Sequence, residues 1–506
     1  MSRAQAAAVL LVVLMVGLGL RLMPLGQEGL WLDEVFSAGF ASLSLAEIPV
    51  AVLRFDVHPP GYYLQLGLWS LWSRTDEWLL LNSVFWSVLS IALAYHVVAE
   101  RAGRAHGLVA ALALALFGSE IYYATELRMY AMLSTVMLLA WHLTDRCLTA
   151  PTRGRYAALL LTLLVLSTLH SAAFILVGAV LGHLLLGHWH KVGRISLSRG
   201  VVAVWVLAAL MLLPWLANAS FRSLSHMVQP TWEVMAVTLG GWWFGCFPGL
   251  SAAHYQAGAL VTVLLVVTVL VWGQARQRLV CLTYVVFPVV LVGVISVTLR
   301  PIWLDRTLAF CAPALVLALT LGGGRQPARW TAAAVAALLL MAVWAQIPQR
   351  EQLPRKMQFR EAADHILMAR APGAKVQVHV PDNVRFWGMA RYLAGPDWGS
   401  VLAIQDPQLV RGSSTWTRIY DKLGEGALQR LHLLPRQRDL AFDAGRLWIG
   451  PSPLPDDVVR AGYFLVDDMS ALKRSRPCPQ GDEVARHVFT GVTVFQCRQM
   501  SGLGRP

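Results

Sequence analysis

The chain has 506 residues, 56% of them hydrophobic and only 14% charged. Soluble globular domains carry about 25% charged residues, so the composition excludes an ordinary soluble enzyme and points to an integral membrane protein. The formal charge of +13 is not a nucleic-acid footprint. Most of the basic excess outside the C-terminal tail lies in short loops between apolar runs, where Lys and Arg anchor the cytoplasmic side, and a basic surface suits anionic membrane lipids.

In chain order, the first apolar run, Ala6 to Met23, lacks a small-residue cleavage site and reads as a retained span. A mixed segment at 25–77 follows, carrying Asp33-Glu34, then two short amphipathic interfacial helices around 42–48 and 51–55 separated by Pro49, then Asp56, His58, Pro59-Pro60 and Tyr62-Tyr63. Spans are expected near 78–98, 107–119 and 129–143. The apolar block from Tyr156 to Gly187 is far longer than the about 20 residues of one crossing. Turning it around His170 makes two short spans and keeps the basic loops at Arg101–Arg104, Lys191–Arg199, Arg276–Arg278 and Arg325–Arg329 on one side, as the positive-inside rule requires. Further spans are expected near 200–217, 257–273, 280–298, 307–321 and 331–346, with a long aromatic, glycine-rich outer loop at 218–256.

The count is about eleven spans. It places the N-terminus in the cytoplasm and the tail outside. Two units result: a transmembrane unit at 1–347 and an extracytoplasmic α/β domain at 348–506. In the tail, 359–369 and 384–393 read as helices, and 374–380, 401–404, 447–449, 462–466 and 492–496 as strands. Cys478 and Cys497 are spaced compatibly with a disulfide if the tail is extracytoplasmic.

On this topology, polar groups gather at one face: Asp33-Glu34, Asp56 and His58, Glu120, Glu126 and Arg128, His170, and Arg300, Asp305 and Arg306. Alternating acids and bases suit a phosphate-bearing substrate, with a carboxylate to deprotonate a hydroxyl and arginines to meet phosphate oxygens. The bland alternative is that the arginines merely neutralise neighbouring carboxylates. Asp56-x-His58 offers two metal ligands, and a structural role beside Pro59-Pro60 competes with that reading. Standard zinc, calcium and phosphate-loop motifs are missing from the sequence.

The residues Leu32-Asp33-Glu34, His58-Pro59-Pro60 with Tyr62-Tyr63, and Tyr123-Ala124-x-x-x-Arg128-x-Tyr130 resemble those of bacterial membrane glycosyltransferases of the C-type fold. That group includes dolichyl-phosphate-mannose protein mannosyltransferases and the lipid A aminoarabinose transferase. Arg306 resembles a family position too, although Asp305-Arg306-Thr307 stands where an Arg-Tyr pair is usual. The resemblance covers about the first 320 residues.

It implies an inner-membrane enzyme that moves a sugar, with inversion, from a polyprenyl-phosphate donor to a lipid, glycan or protein acceptor at the periplasmic face. It further implies Asp33 as base, Glu34 as a second catalytic or acceptor-side group, and Glu126, Arg128 and Arg306 around the donor phosphate. Asp56, His58, Tyr62, Tyr63, Tyr123, His170 and Asp305 are expected to support the site. A divalent metal stays open, because these enzymes often need none whereas related oligosaccharyltransferases do. The competing readings are a transporter or flippase of lipid-linked glycans and a non-catalytic scaffold. A transporter would carry charges along a route through the spans, whereas here they gather at one face. Topology reporters test the frame: a fusion at Gly187 should report cytoplasmic and one at the C-terminus extracytoplasmic, and a cytoplasmic tail would refute the eleven-span arrangement.

Overall fold

The computed structural model describes residues 1–56, 58–192, 199, 202–203, 206–207, 210, 229–245, 250–299, 301–322, 356–370, 373–380, 383–395, 439–442, 444–449, 454–467, 478 and 482–498. The first helix, α1 (Arg3–Leu22), opens with a reciprocal cap in which Ser2 and Gln5 each bond the other's backbone N–H. The second long helix, α5 (Asp76–Ala102), starts at a Thr75 cap with Asp76 and Glu77 in its first turn, where the helix dipole favours acids.

Between them lie three short helices: α2 (Leu32–Ala41), α3 (Glu47–Phe55) and α4 (Gly61–Trp69). This corrects two expectations. Asp33-Glu34 sits in the first turn of a helix, not in a loop. Pro49 does not separate two helices but falls in the first turn of α3, where the missing N–H removes no intrahelical bond.

The helices α6 (Arg104–Leu116) and α7 (Gly118–Ala124) form one broken span bent by 57°. Two residues explain the break. A Cβ at Gly118 would lie 2.1 Å from the Trp243 carbonyl oxygen, so only glycine permits this approach. Arg21, fully buried, donates to the carbonyls of Leu114 and Ala115 at 3.0 and 2.9 Å, to Gly17 O and to Ser87 Oγ. Carbonyls freed at a bend in an apolar setting need such partners.

The helices α8 (Tyr130–Thr149), α9 (Arg153–Leu169) and α10 (Ala173–Val192) follow, and the break between α9 and α10 at His170 is the expected turn. The 218–256 stretch is not only loop. It contains α11 (Trp232–Phe244), whose Gly240 packs so closely on α12 (Ala252–Trp272) that a Cβ would lie 2.1 Å from Tyr255 O. The glycines read as loop signals thus serve helix–helix contact.

The next span is continuous through α13 (Ala275–Cys281), a π turn (Leu282–Val286) and α14 (Phe287–Thr298). A 3₁₀ turn (Arg306–Leu308) leads into α15 (Cys311–Thr320). Among the described residues, five helices are long and apolar enough to cross a membrane, or six with the bent pair. Span 331–346, most of 200–217, Arg300, strand 401–404 and the 347/348 boundary lie outside the described residues. Asp145 meets both Arg101 (2.5 Å) and Arg276 (3.2 Å), so those two basic segments share one end of the helix bundle, as the charge argument required.

In the tail, α16 (Phe359–Ala369), β1 (Val376–Val380), α17 (Asn383–Ala394), β2 (Asp439–Phe442), β3 (Gly445–Ile449), α18 (Asp456–Ala461), β4 (Tyr463–Asp467), β5 (Asp482–Phe489) and β6 (Val492–Arg498) build an α/β unit. Its six-stranded sheet has the order β2-β3-β1-β4-β6-β5. The central strand β1 is parallel to β3 and β4, and the outer pairings are antiparallel. Cys478 and Cys497 are joined in a disulfide. The edge strand β5, absent from the sequence reading, exposes most of its residues and so lacks the apolar alternation by which strands are recognised. Replacing Arg21 by Leu should destabilise the protein by about 3 kcal/mol, since several carbonyls lose a charged donor; an unchanged thermal midpoint in detergent would refute the capping role.

Candidate functional site

The site is assembled where α2 and α4 meet the 125–128 segment and the 3₁₀ turn. Asp33 Oδ2 accepts from Arg306 Nη1 at 3.1 Å, and the two side chains remain 27% and 31% exposed, open enough to meet a ligand. Arg306 also lies over the Trp31 ring, 5.9 Å from its centroid, a cation–π arrangement. Arg128 is buried. Its Nη1 donates to Asp33 O (3.1 Å), Ser37 Oγ (3.2 Å) and the Tyr63 hydroxyl (3.1 Å). Tyr63 in turn donates to Asp56 Oδ2 at 2.5 Å, and the other Asp56 oxygen accepts from His58 N at 2.9 Å. Tyr62 is buried with its ring edge-on to Tyr63.

Glu34, one residue from Asp33, is fully buried. Its Oε2 accepts from Trp31 N (3.0 Å), and its Oε1 accepts from Leu127 N (2.7 Å) and from Lys356 Nζ (2.8 Å). Burial is the largest influence on this carboxyl and pushes its pKa up to about 7; Lys356 pulls down and Glu126 pushes up. Glu126 is buried and accepts from Trp31 Nε1 at 2.8 Å. Lys356 also donates to Thr125 O at 2.9 Å.

His58 and His170 lie with ring centroids 4.4 Å apart. The Nδ1 of His58 lies 3.2 Å from Ser171 Oγ, and that of His170 accepts from Ala172 N at 2.9 Å. Burial holds both imidazoles well below their usual pKa, with help from Arg128 and Arg306 and, for His170, from His58, so both are neutral near pH 7. Tyr130 lies beside His170, and Tyr123 packs on Tyr130 and donates to Asp305 Oδ2 at 3.2 Å.

The structure therefore brings together Asp33, Glu34, Asp56, His58, Tyr62, Tyr63, Tyr123, Glu126, Arg128, His170, Asp305 and Arg306. Glu120 faces away from them, accepting from Ser134 at 3.1 Å, and Arg300 lies outside the described residues. Sequence reasoning missed Trp31 and Lys356. A lysine in a basic tail has no spacing that links it to a carboxylate more than 300 positions earlier.

Both Asp56 oxygens are hydrogen-bonded, and His58 Nδ1 contacts Ser171. Among the described residues, one grouping has metal-ligand proximity, His96, Glu100 and His142, with ligand atoms within 4.8 Å of one another. It lies near Asp145, at the bundle end away from Asp33, and Glu100 is already paired with Arg146 at 2.9 Å.

The chain has the C-type fold that the sequence resemblance implied. It is similar to ArnT from Cupriavidus metallidurans in the apo state, at 15% identity over 98% of each chain with a TM-score of 0.54, and to the same protein bound to undecaprenyl phosphate, at 14% identity over 99% of each chain with a TM-score of 0.50. No protein-family model and no curated protein sequence matches the chain. Replacing Tyr63 by Phe removes the hydroxyl that bridges Asp56 and Arg128. It should cost about 1–3 kcal/mol of stability, and an unchanged unfolding midpoint would show that the bridge contributes nothing.

Proposed function

We propose that the protein is an inverting glycosyltransferase that moves a sugar from a polyprenyl-phosphate donor to a hydroxyl of a lipid, glycan or protein acceptor at the extracytoplasmic face. The observation that carries this reading is the accessible Asp33–Arg306 pair, set in a fold shared with a protein crystallised with undecaprenyl phosphate. In this reading the polyprenyl chain stays in the lipid while the phosphate and sugar enter the polar cluster.

Asp33 takes the proton of the acceptor hydroxyl. The acceptor oxygen forms a bond to the anomeric carbon from the face opposite the phosphate, and the carbon–oxygen bond to phosphate breaks. The electron pair leaves with the polyprenyl phosphate, and a fixed cation meets the growing charge. Arg306 suits that task because it is partly exposed and donates to one oxygen of Asp33. Arg128 suits a different one: its bonds to Asp33 O, Ser37 and Tyr63 hold the base's backbone. Glu126 holds the Trp31 indole, and Trp31 in turn backs Arg306.

The transporter reading gains little from the structure. Arg21, a buried charge within a span, is bonded to backbone carbonyls and Ser87 as a cap. The test is transfer of radiolabelled sugar from polyprenyl phosphate by purified protein. Asp33→Asn should lower kcat by about 10²–10⁴-fold without loss of folding, and wild-type-like transfer by that variant would sink the assignment. Arg306→Lys keeps the charge but loses the planar fork, and should lower kcat by about 10-fold or more; unchanged kinetics would remove Arg306 from the donor phosphate.

A further inference from the structure

The α/β domain touches the Asp33 segment at several points. Tyr392 of α17 donates to Asp76 Oδ2 and accepts from Leu30 N, both at 2.6 Å. Arg391 pairs with Asp76 at 2.6 Å, and Arg360 donates to the carbonyls of Gly26 and Gln27 at 3.2 Å. Gly29 makes this seat possible: a Cβ there would lie 2.9 Å from Arg360 Cβ and 3.0 Å from the Tyr392 hydroxyl. From this seat Lys356, itself 95% buried at the side chain, reaches Glu34 and Thr125 O.

We propose that the C-terminal domain completes the transfer site, with Lys356 as a positioning residue that pins Glu34 and through it both the Asp33 helix and the Arg128 segment. The physical argument is one of donors and acceptors. Ionised Glu34 offers only acceptors, and it faces three donors: Trp31 N at the start of α2, Leu127 N beside Arg128, and Lys356 Nζ. Its protonation would remove the charge and reduce the acceptor capacity, so the links to Trp31 N, Leu127 N and Lys356 Nζ would weaken. The titratable groups facing Glu34 are Lys356 from the tail, Glu126 from the 125–128 segment and Tyr62 from α4. Of these only Lys356 is a cation that stabilises the carboxylate. Without it, a buried carboxyl beside Glu126 takes up a proton.

The proposal rests on the glycosyl-transfer reading for its consequence but not for its geometry, and two readouts on the full-length protein in detergent separate them. The first is the thermal midpoint against pH. Glu34 has a raised pKa of about 7, so between the ordinary carboxylate range and that value the native state binds more protons than the unfolded one. Its contribution to stability therefore falls as pH rises through that window and levels off above it. In Lys356→Gln the fall should extend upward by about one pH unit or more, whereas Lys356→Arg should keep the wild-type window. His58 and His170 titrate with the opposite sign, and they and the other buried groups, Glu120 among them, are the same in every variant, so differences between variants isolate Glu34.

The second readout is kcat against pH. Lys356→Gln should lower kcat at pH 7 by about 10- to 100-fold, move the acid limb to higher pH and leave the donor KM within about 3-fold. An unmoved stability window and an unmoved acid limb in Lys356→Gln would overturn the proposal. Should that variant fail to fold, Glu34→Gln must make the wild-type fall shallower, and an unchanged slope would overturn it equally. A shifted stability window in a protein that transfers no sugar from any polyprenyl phosphate tested would sustain the pairing and refute the transfer reading.

Discussion

Glu34 is the group on which the arrangement of the site depends. A carboxylate removed from water is costly unless it is paired and hydrogen-bonded, and here the compensation comes from three parts of the chain at once. Trp31 N starts the helix that carries Asp33, Leu127 N belongs to the segment that carries Arg128, and Lys356 comes from the tail. One buried carboxyl group thus holds three segments far apart in sequence in one mutual geometry. Because the low-dielectric setting makes an unmet partner expensive, the knot is rigid.

Around this support the functional labour divides by exposure. Glu34, Glu126 and Arg128 are buried and hydrogen-bonded within the protein, and they hold the frame of the cluster. Asp33 and Arg306 are adjacent to them and partly open. Their ion pair is weakly favourable at such exposure and opens at small cost. The two tyrosines and the two histidines extend the support under Arg128 and Asp33 through the Tyr63–Asp56 bridge and the His58–His170 contact.

The membrane part follows the same rule on a larger scale. Breaking the span between α6 and α7 turns Glu126 and Arg128 into the site. The freed carbonyls are met by Arg21, and the tight crossing at Trp243 is open only to Gly118. At the opposite end, Asp145 ties Arg101 to Arg276 and separates the basic end of the bundle from the end that holds the site.

Much of this was legible in the residues. Apolar runs marked the long helices, the charge pattern called for the turn found at His170, and the Asp33-Glu34, His58-Pro59-Pro60 and Tyr123 to Arg128 motifs marked residues that the fold brings together. The helix pattern at 359–369 and the apolar strands β1, β3, β4 and β6 were readable because each follows a local period. The helical state of 32–41 and of 232–244 was not, since glycines and an acidic pair look like loop signals until their packing partners are known. The pairing of Lys356 with Glu34, the capping by Arg21 and the burial that parts Glu34 from Asp33 were decided only by tertiary structure. Local sequence specifies which chemical groups exist and how often apolar residues recur, whereas the environment of a charge is set by whatever the folded chain brings against it from far away.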